Sequence, residues 1–192
     1  MIRIRRALPQ DAAGMGLAHV SAWRSAYAGI LPAHYLAGLS AVREAAAYER
    51  AISRRAHGHA AFVATIDAED APPGTRLPPG GLVVGFSTGG RARRPNLADG
   101  EIETLYVVDD WRDRGIGRRL LRAQAAHLRA LHCRSVLVWV LAENPARWFY
   151  ERLGARTVAW EEIVIAGRPV IQQAMLWERV DSLLAATAGT HG

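Results

Sequence analysis

The chain has 192 residues, 50% of them hydrophobic and 22% charged, enough to build the core of one globular domain of ordinary size. No run comes near the ~18 consecutive apolar residues that span a bilayer. The opening "MIRIRRALPQ" is basic without a following apolar stretch, so neither a membrane span nor a secretory leader is expected. The formal charge of +6 rests on 24 arginines and no lysine; they are scattered, which disfavours a nucleic-acid groove and leaves composition bias or a local anion site.

In chain order, "IRIRRA" alternates and reads as a short first strand. "LPQDAAGMGLAHVSAWRSAYAG" follows as a helix, with Pro9 and Asp11 suited to its start and Gly29 to its end. "AHYLAGLSAVREAAAYERAISRRA" reads as a second helix or a helix pair broken near Gly38 and Ser40. "HAAFVATID" and "LVVGFSTGG" are strands joined by the Pro/Gly-rich hairpin loop "AEDAPPGTRLPPGG". "EIETLYVVDD" is a further strand, and "GIGRRLLRAQAAHLRALH" a helix whose apolar face carries Ile116, Leu120, Leu121, Ala125, Leu128 and Leu131. "SVLVWVLA" is a central strand and "NPARWFYERLG" a short helix stopped by Gly154. "RTVAWEEIVIAGRPVIQQAMLWERV" is a hairpin turning at Ala166-Gly167. The order β-α-α-β-β-β-α-β-α-β-β predicts an α/β fold: a mixed sheet of about six to seven strands with helices on both faces, in one domain over 1–180 with a tail over 181–192. Strands 101–110 and 135–141 with their connecting helix form a parallel, right-handed βαβ unit. The single cysteine, Cys133, excludes an internal disulfide and suits the cytoplasm.

Within that unit, "WRDRGIGRRLL" puts Gly115 and Gly117 between strand and helix. A helix N-terminus offers unpaired N–H groups and partial positive charge, and glycines let a bulky anion approach the backbone. Arg112, Arg114, Arg118, Arg119 and Arg122 surround the same spot, so a pyrophosphate site is expected where a plain turn would need one glycine at most. A dinucleotide fingerprint is excluded because position 120 is leucine, and a Walker loop because the chain has no lysine.

Arg112-x-x-Gly115-x-Gly117 after "LYVVDDW" resembles the acyl-CoA signature of the GNAT superfamily of N-acetyltransferases. "ENPARWFYERLGA" resembles that family's second signature, and "AWRSAYAGILP" a segment common in one bacterial branch. The resemblance runs along most of the chain and implies a GNAT-like fold and an acetyl-CoA cosubstrate. Its pyrophosphate would lie on backbone amides from Gly115, Ile116, Gly117 and Arg118, with Arg112 and Arg114 beside it. The pantetheine would run beside Leu105, Tyr106 and Val107 like an added strand. Asn144 to Tyr150 is six positions where the family commonly has seven, which leaves the contact credited to the asparagine open between Asn144, Glu143 and loss.

Acetyl transfer to an amine needs a proton acceptor for the alkylammonium and a donor for the departing thiolate. Glu101 and Glu103, two apart on a strand and so expected on one face, are the candidate bases; mutual repulsion there would raise one pKa. The resemblance favours Glu101 and implies Tyr150 as general acid. Direct attack then needs no enzyme nucleophile, and adjacent His132 and Cys133 point apart. His127 and His132, five apart, share no helical face, so no metal is expected. The resemblance places the acceptor pocket between the N-terminal helices and the closing hairpin, with Trp23, Tyr27 and Tyr35 as an aromatic wall and Trp160 or Trp177 from the far side. The expected activity is acetyl-CoA-dependent N-acetylation of a small-molecule or peptide amine in a ternary complex, with a homodimer left open and no nucleic-acid or membrane partner. The alternative is a catalytically silent CoA-binding sensor of the same fold.

Overall fold

In the computed structural model the described residues are 1–54, 58–75 and 77–189. The end of the predicted second helix, position 76 of the Pro/Gly loop and the last three residues of the predicted tail lie outside them. Seven strands, β1 (Arg3–Arg6), β2 (Ala60–Ile66), β3 (Leu82–Arg91), β4 (Gly100–Val107), β5 (Val136–Leu141), β6 (Arg156–Ile165) and β7 (Arg168–Trp177), form one sheet in the order β1-β2-β3-β4-β5-β7-β6. The pairs are antiparallel except β4 with β5. That parallel pair is joined by helix α4 (Ile116–Ala130), as the βαβ reading requires. The β6–β7 hairpin turns at Ala166-Gly167, both at positive φ (52° and 78°), the geometry of a two-residue type I′ turn.

Helices α1 (Ala12–Ala26), α2 (Ala33–Ala37) and α3 (Ala41–Arg54) confirm the break near Gly38 and Ser40. On α1, Met15 and Ala18 bury against Val63, Val83 and Phe86 of the sheet. The opposite face carries α4 and α5 (Ala146–Arg152). Leu121, Ala125 and Leu128 of α4 pack on Val136, Val138 and Met175, each buried leucine contributing roughly 1.5–3 kcal/mol. A sixth helix, α6 (Val180–Thr187), follows β7 where a tail was expected from 181. Val180, Leu183, Leu184 and Thr187 are its buried residues, at helical spacing, and Leu183 is fully buried in the α4 core. No helix among the described residues is long and apolar enough to cross a membrane.

Candidate active site

The sheet is prised open at its centre. β4 and β5 pair only through Gly100–Val136, Glu101–Leu137 and Ile102–Val138; beyond Ile102 the two parallel strands diverge. On its other side β4 stays paired to β3, but the register slips between Thr88 and Gly89, so that Thr88 faces Thr104 while Gly89 faces Ile102. Glu103 is the extra residue of this bulge, and a bulge reverses which face the following side chains take. Ile102 therefore packs towards α4, and so do Leu105 and Val107, while Tyr106 points to α1 and joins Phe86 there. The Val108 N–H donates to Val84 O at 2.9 Å. By the alternation of an antiparallel pair, Leu105 and Val107 then turn their own N–H and C=O into the gap. The gap has an unpaired strand edge at its wall.

At the top of the gap, α4 begins at Gly115, whose φ of 70° is left-handed, and no side chain caps its first turn. Asp113 is also at positive φ (59°), and alternation of hand of this kind folds N–H groups into a concave anion cradle. A Cβ on Gly115 would meet nothing within 4 Å, whereas one on Gly117 would lie 3.4 Å from the Phe149 ring of α5. Gly115 is required by its left-handed backbone, whereas a Cβ at Gly117 would only make ordinary contact with Phe149. Arg112 pairs with Asp109 at 2.7 Å, and Arg114 lies over the Trp111 ring at 4.5 Å. Arg118 is half-buried. Arg119 and Arg122, expected in the same cluster, donate instead to the carbonyls of Ile2 and Leu184 at 2.9 and 2.7 Å.

The two glutamates have different partners. Glu101 is 1% exposed and is clamped by Arg93, whose backbone N–H and Nε donate to its two carboxylate oxygens at 3.1 and 3.0 Å; a second guanidinium N–H reinforces the pair. Glu103 keeps a third of its side chain exposed and pairs with His59 Nε2 at 3.0 Å. Glu103 does not show the raised pKa expected of a repelled base: the hydrogen bond from His59 holds it below the usual carboxylate range, with burial opposing and the His59 and Arg93 charges assisting. Arg93→Ala is expected to leave the Glu101 carboxylate buried without its main partner and to cost about 1–3 kcal/mol. Urea unfolding checks this, and adding Glu101→Gln to that variant should recover part of the loss.

Tyr150 lies on α5 with 5% exposure, its ring edge-on to Trp177 at 6.0 Å. Among the described residues its hydroxyl has no hydrogen-bond partner. Burial, and behind it the neighbouring Tyr27 phenol, push its pKa well above the ordinary phenol range, so it remains protonated. Asn144 is spent on structure: its Oδ1 accepts from the Ala146 N–H at 2.9 Å, and its Nδ2 donates to the Tyr27 hydroxyl at 3.4 Å. It caps α5 and ties it to the end of α1.

Trp23, Tyr27 and Tyr35 come together as expected, Trp23 lying 4.7 Å from the Tyr27 ring and 6.4 Å from Tyr35. They pack against Leu141 at the end of β5 and Ile163, Ile165 and Val170 of the closing β6–β7 hairpin. Trp23 Nε1 donates to the Tyr106 hydroxyl at 2.8 Å, fixing α1 over the divergent part of β4. The far-side tryptophans are not part of this wall. Trp177 is a core residue donating to Leu153 O at 2.8 Å, and Trp160 is 60% exposed on β6. Three groups escaped the sequence reading. His59 and Arg93 hold the glutamates, and His19 stacks on Tyr106 at 5.0 Å while its Nδ1 lies 2.9 Å from the Tyr48 hydroxyl. The Gly89-Gly90 pair inside a strand was the available signal for a bulge or a close backbone approach.

Residues 57–154 match the family model described as acetyltransferase (GNAT) domain. A Bacillus subtilis (strain 168) protein named as an uncharacterized N-acetyltransferase, YuaI, is 28% identical over 184 residues, covering 95% of this chain and 96% of its own. The fold is similar to PaiA N-acetyltransferase from Thermoplasma acidophilum, solved in complex with coenzyme A (TM-score 0.68, 17% identity, 90% and 98% of the two chains covered). It is similar also to YncA from Salmonella typhimurium, solved with its cofactor acetyl-CoA (TM-score 0.65, 19% identity, 94% and 95% covered).

Proposed function

The chain belongs to the GNAT acetyltransferase family, and on that premise we propose that it moves an acetyl group from acetyl-CoA directly to a primary amine of a small molecule or peptide. The observation that carries this is the coincidence, on one strand, of an uncapped left-handed helix start at Gly115 and a gap opening below it beyond Ile102. The amides of Ile116, Gly117 and Arg118, with Arg112 and Arg114 beside them, suit a pyrophosphate. The free edges of Leu105 and Val107 suit the amides of a pantetheine arm, and Tyr106 braces that edge from the α1 side. Asn144 acts on the site only through the start of α5.

Glu103 takes the proton of the acceptor ammonium, because Glu101 is buried beneath Arg93. The neutral amine attacks the thioester carbonyl, the C–S bond breaks, and the Tyr150 hydroxyl donates a hydrogen bond to the departing sulfur. No covalent enzyme intermediate is needed. Burial raises the Cys133 thiol above its ordinary value, which makes it a poor nucleophile and favours transfer within a ternary complex. Trp23, Tyr27 and Tyr35 form the acceptor wall. One buried cysteine fits a reducing compartment such as the cytoplasm.

Incubating the protein with acetyl-CoA, a panel of primary amines and a thiol reagent tests the reading. Amine-dependent thiol release supports it; CoA binding without turnover on any amine points to a silent binding module. Gly117→Asp would add a negative charge at the anion cradle and press on Phe149, although an acid in the first turn suits the helix dipole and should not unfold α4. CoA affinity is expected to fall at least about tenfold, ~1.4 kcal/mol, by calorimetry; unchanged binding in the folded variant would remove the cradle from the site.

A further inference from the structure

We infer that His59 is the positioning residue for Glu103, fixing its carboxylate in one orientation for proton abstraction; this rests on the base role proposed above. His59 immediately precedes β2 and Glu103 lies on β4, with β3 between those strands, and the bond between Nε2 and Oε2, at 3.0 Å, crosses β3. The crossing is possible because β3 is glycine at position 90. A Cβ there would lie 2.9 Å from Gly58 O and 3.2 Å from His59 Cα, too close for the backbone leading into β2 to keep its place. A glycine inside a strand weakens it, and close approach of another backbone is what such a position accommodates.

The carboxylate has no comparable second anchor. Arg93 reaches it through charge but gives its hydrogen bonds to Glu101. Thr88 from β3 adds a weaker hydrogen bond. From α3, Tyr48 feels the Glu103 charge while its hydroxyl meets His19. On the α4 side, His127 senses the His59 charge and is engaged with Gly58 O at 3.1 Å. An ionised carboxylate only accepts, so the His59 Nε2–H is the donor. That bond fixes the oxygen facing His59. It is also the largest influence drawing Glu103 below the ordinary carboxylate range.

The test uses the full chain with His59→Ala, His59→Gln and Glu103→Gln variants. A carbon-detected NMR titration of the Glu103 carboxyl needs no substrate: in His59→Ala its pKa is expected to rise from the wild-type value. With an amine that wild type acetylates, His59→Ala should lose ~10- to 10²-fold in kcat, the usual penalty for a misplaced reacting group. The KM for acetyl-CoA should hold, and the acid limb of kcat/KM should move to higher pH. His59→Gln keeps an N–H donor without the charge, so kcat should largely return and the limb should move most of the way back. An unmoved Glu103 titration with a wild-type pH profile in His59→Ala overturns the inference. If Glu103→Gln is inactive while His59→Ala is normal, only this inference falls. A fully active Glu103→Gln removes the base reading and this inference with it.

Discussion

Replacing Glu103 by glutamine is expected to lower kcat by ~10²-fold or more, the contribution of a positioned general base. The change is isosteric, and the glutamine carbonyl can still accept the His59 N–H, so only the charge that receives the proton is lost. Glu101→Gln is the internal control. Its carboxylate is 1% exposed beneath Arg93, so kcat should remain close to wild type while stability alone falls. The pH dependence has a definite sign. Because the folded pKa of Glu103 is lowered, the carboxylate stays ionised through neutrality and loses activity only as pH falls through that lowered value. Above that value the wild-type rate should hold while Glu103 removes the ammonium proton, whereas Glu103→Gln should follow the neutral fraction of the acceptor amine. By the same linkage, the stabilisation Glu103 gains on folding is present above the ordinary carboxylate pKa and is lost as pH falls through the folded one. A Glu103→Gln enzyme with undiminished kcat and an unchanged profile would mean that the acceptor arrives already neutral or that another group takes its proton.

What could be read before the structure, and what could not, divides by how local the determinant is. The glycine turn and α4 were legible because residues close in sequence fix both: two glycines after an apolar strand, then Ile116, Leu120, Leu121, Ala125 and Leu128 at helical spacing, all buried. The bulge was not legible. Glu101 and Glu103 are two apart, but cross-strand neighbours set the surroundings of each: Arg93 beyond β3 holds Glu101, and His59 ahead of β2 holds Glu103. Neither partner adjoins β4 in sequence, so the residue that fixes each carboxylate is a product of sheet order. Arg119 and Arg122 illustrate the same limit, since sequence clustering put them by the turn while the helix rotated them towards Ile2 and Leu184. Helix α6 is a different case: Val180, Leu183, Leu184 and Thr187 carry a helical stripe that the Ala, Thr and Gly of the last residues hide.

Tyr150→Phe is the substitution that separates an acetyltransferase from a CoA-binding relic. It removes one oxygen and keeps the ring that packs on Trp177 and Phe149, so folding and CoA affinity should barely change. The hydroxyl is held above the ordinary phenol range by burial, while thiols ordinarily titrate near ~8.5. Full transfer of its proton to a thiolate is therefore uphill, and in the proposed mechanism its service would be a hydrogen bond to the negative charge growing on sulfur. The proton that finally neutralises the thiolate comes from the attacking nitrogen, which must shed one as the amide forms. A hydrogen bond to a charged group is worth about 1.5–3 kcal/mol, which sets the expected loss in kcat at ~10- to 10²-fold. Because the bond strengthens only as the C–S bond breaks, kcat and kcat/KM should fall together while the KM for acetyl-CoA holds. The loss should be largest with amines that make C–S cleavage rate-limiting, and should shrink when the thioester is replaced by one with a more acidic thiol, whose charge needs less help. A large rise in KM for acetyl-CoA with kcat intact would make Tyr150 a binding residue, and full activity in the phenylalanine variant would leave the sulfur to water.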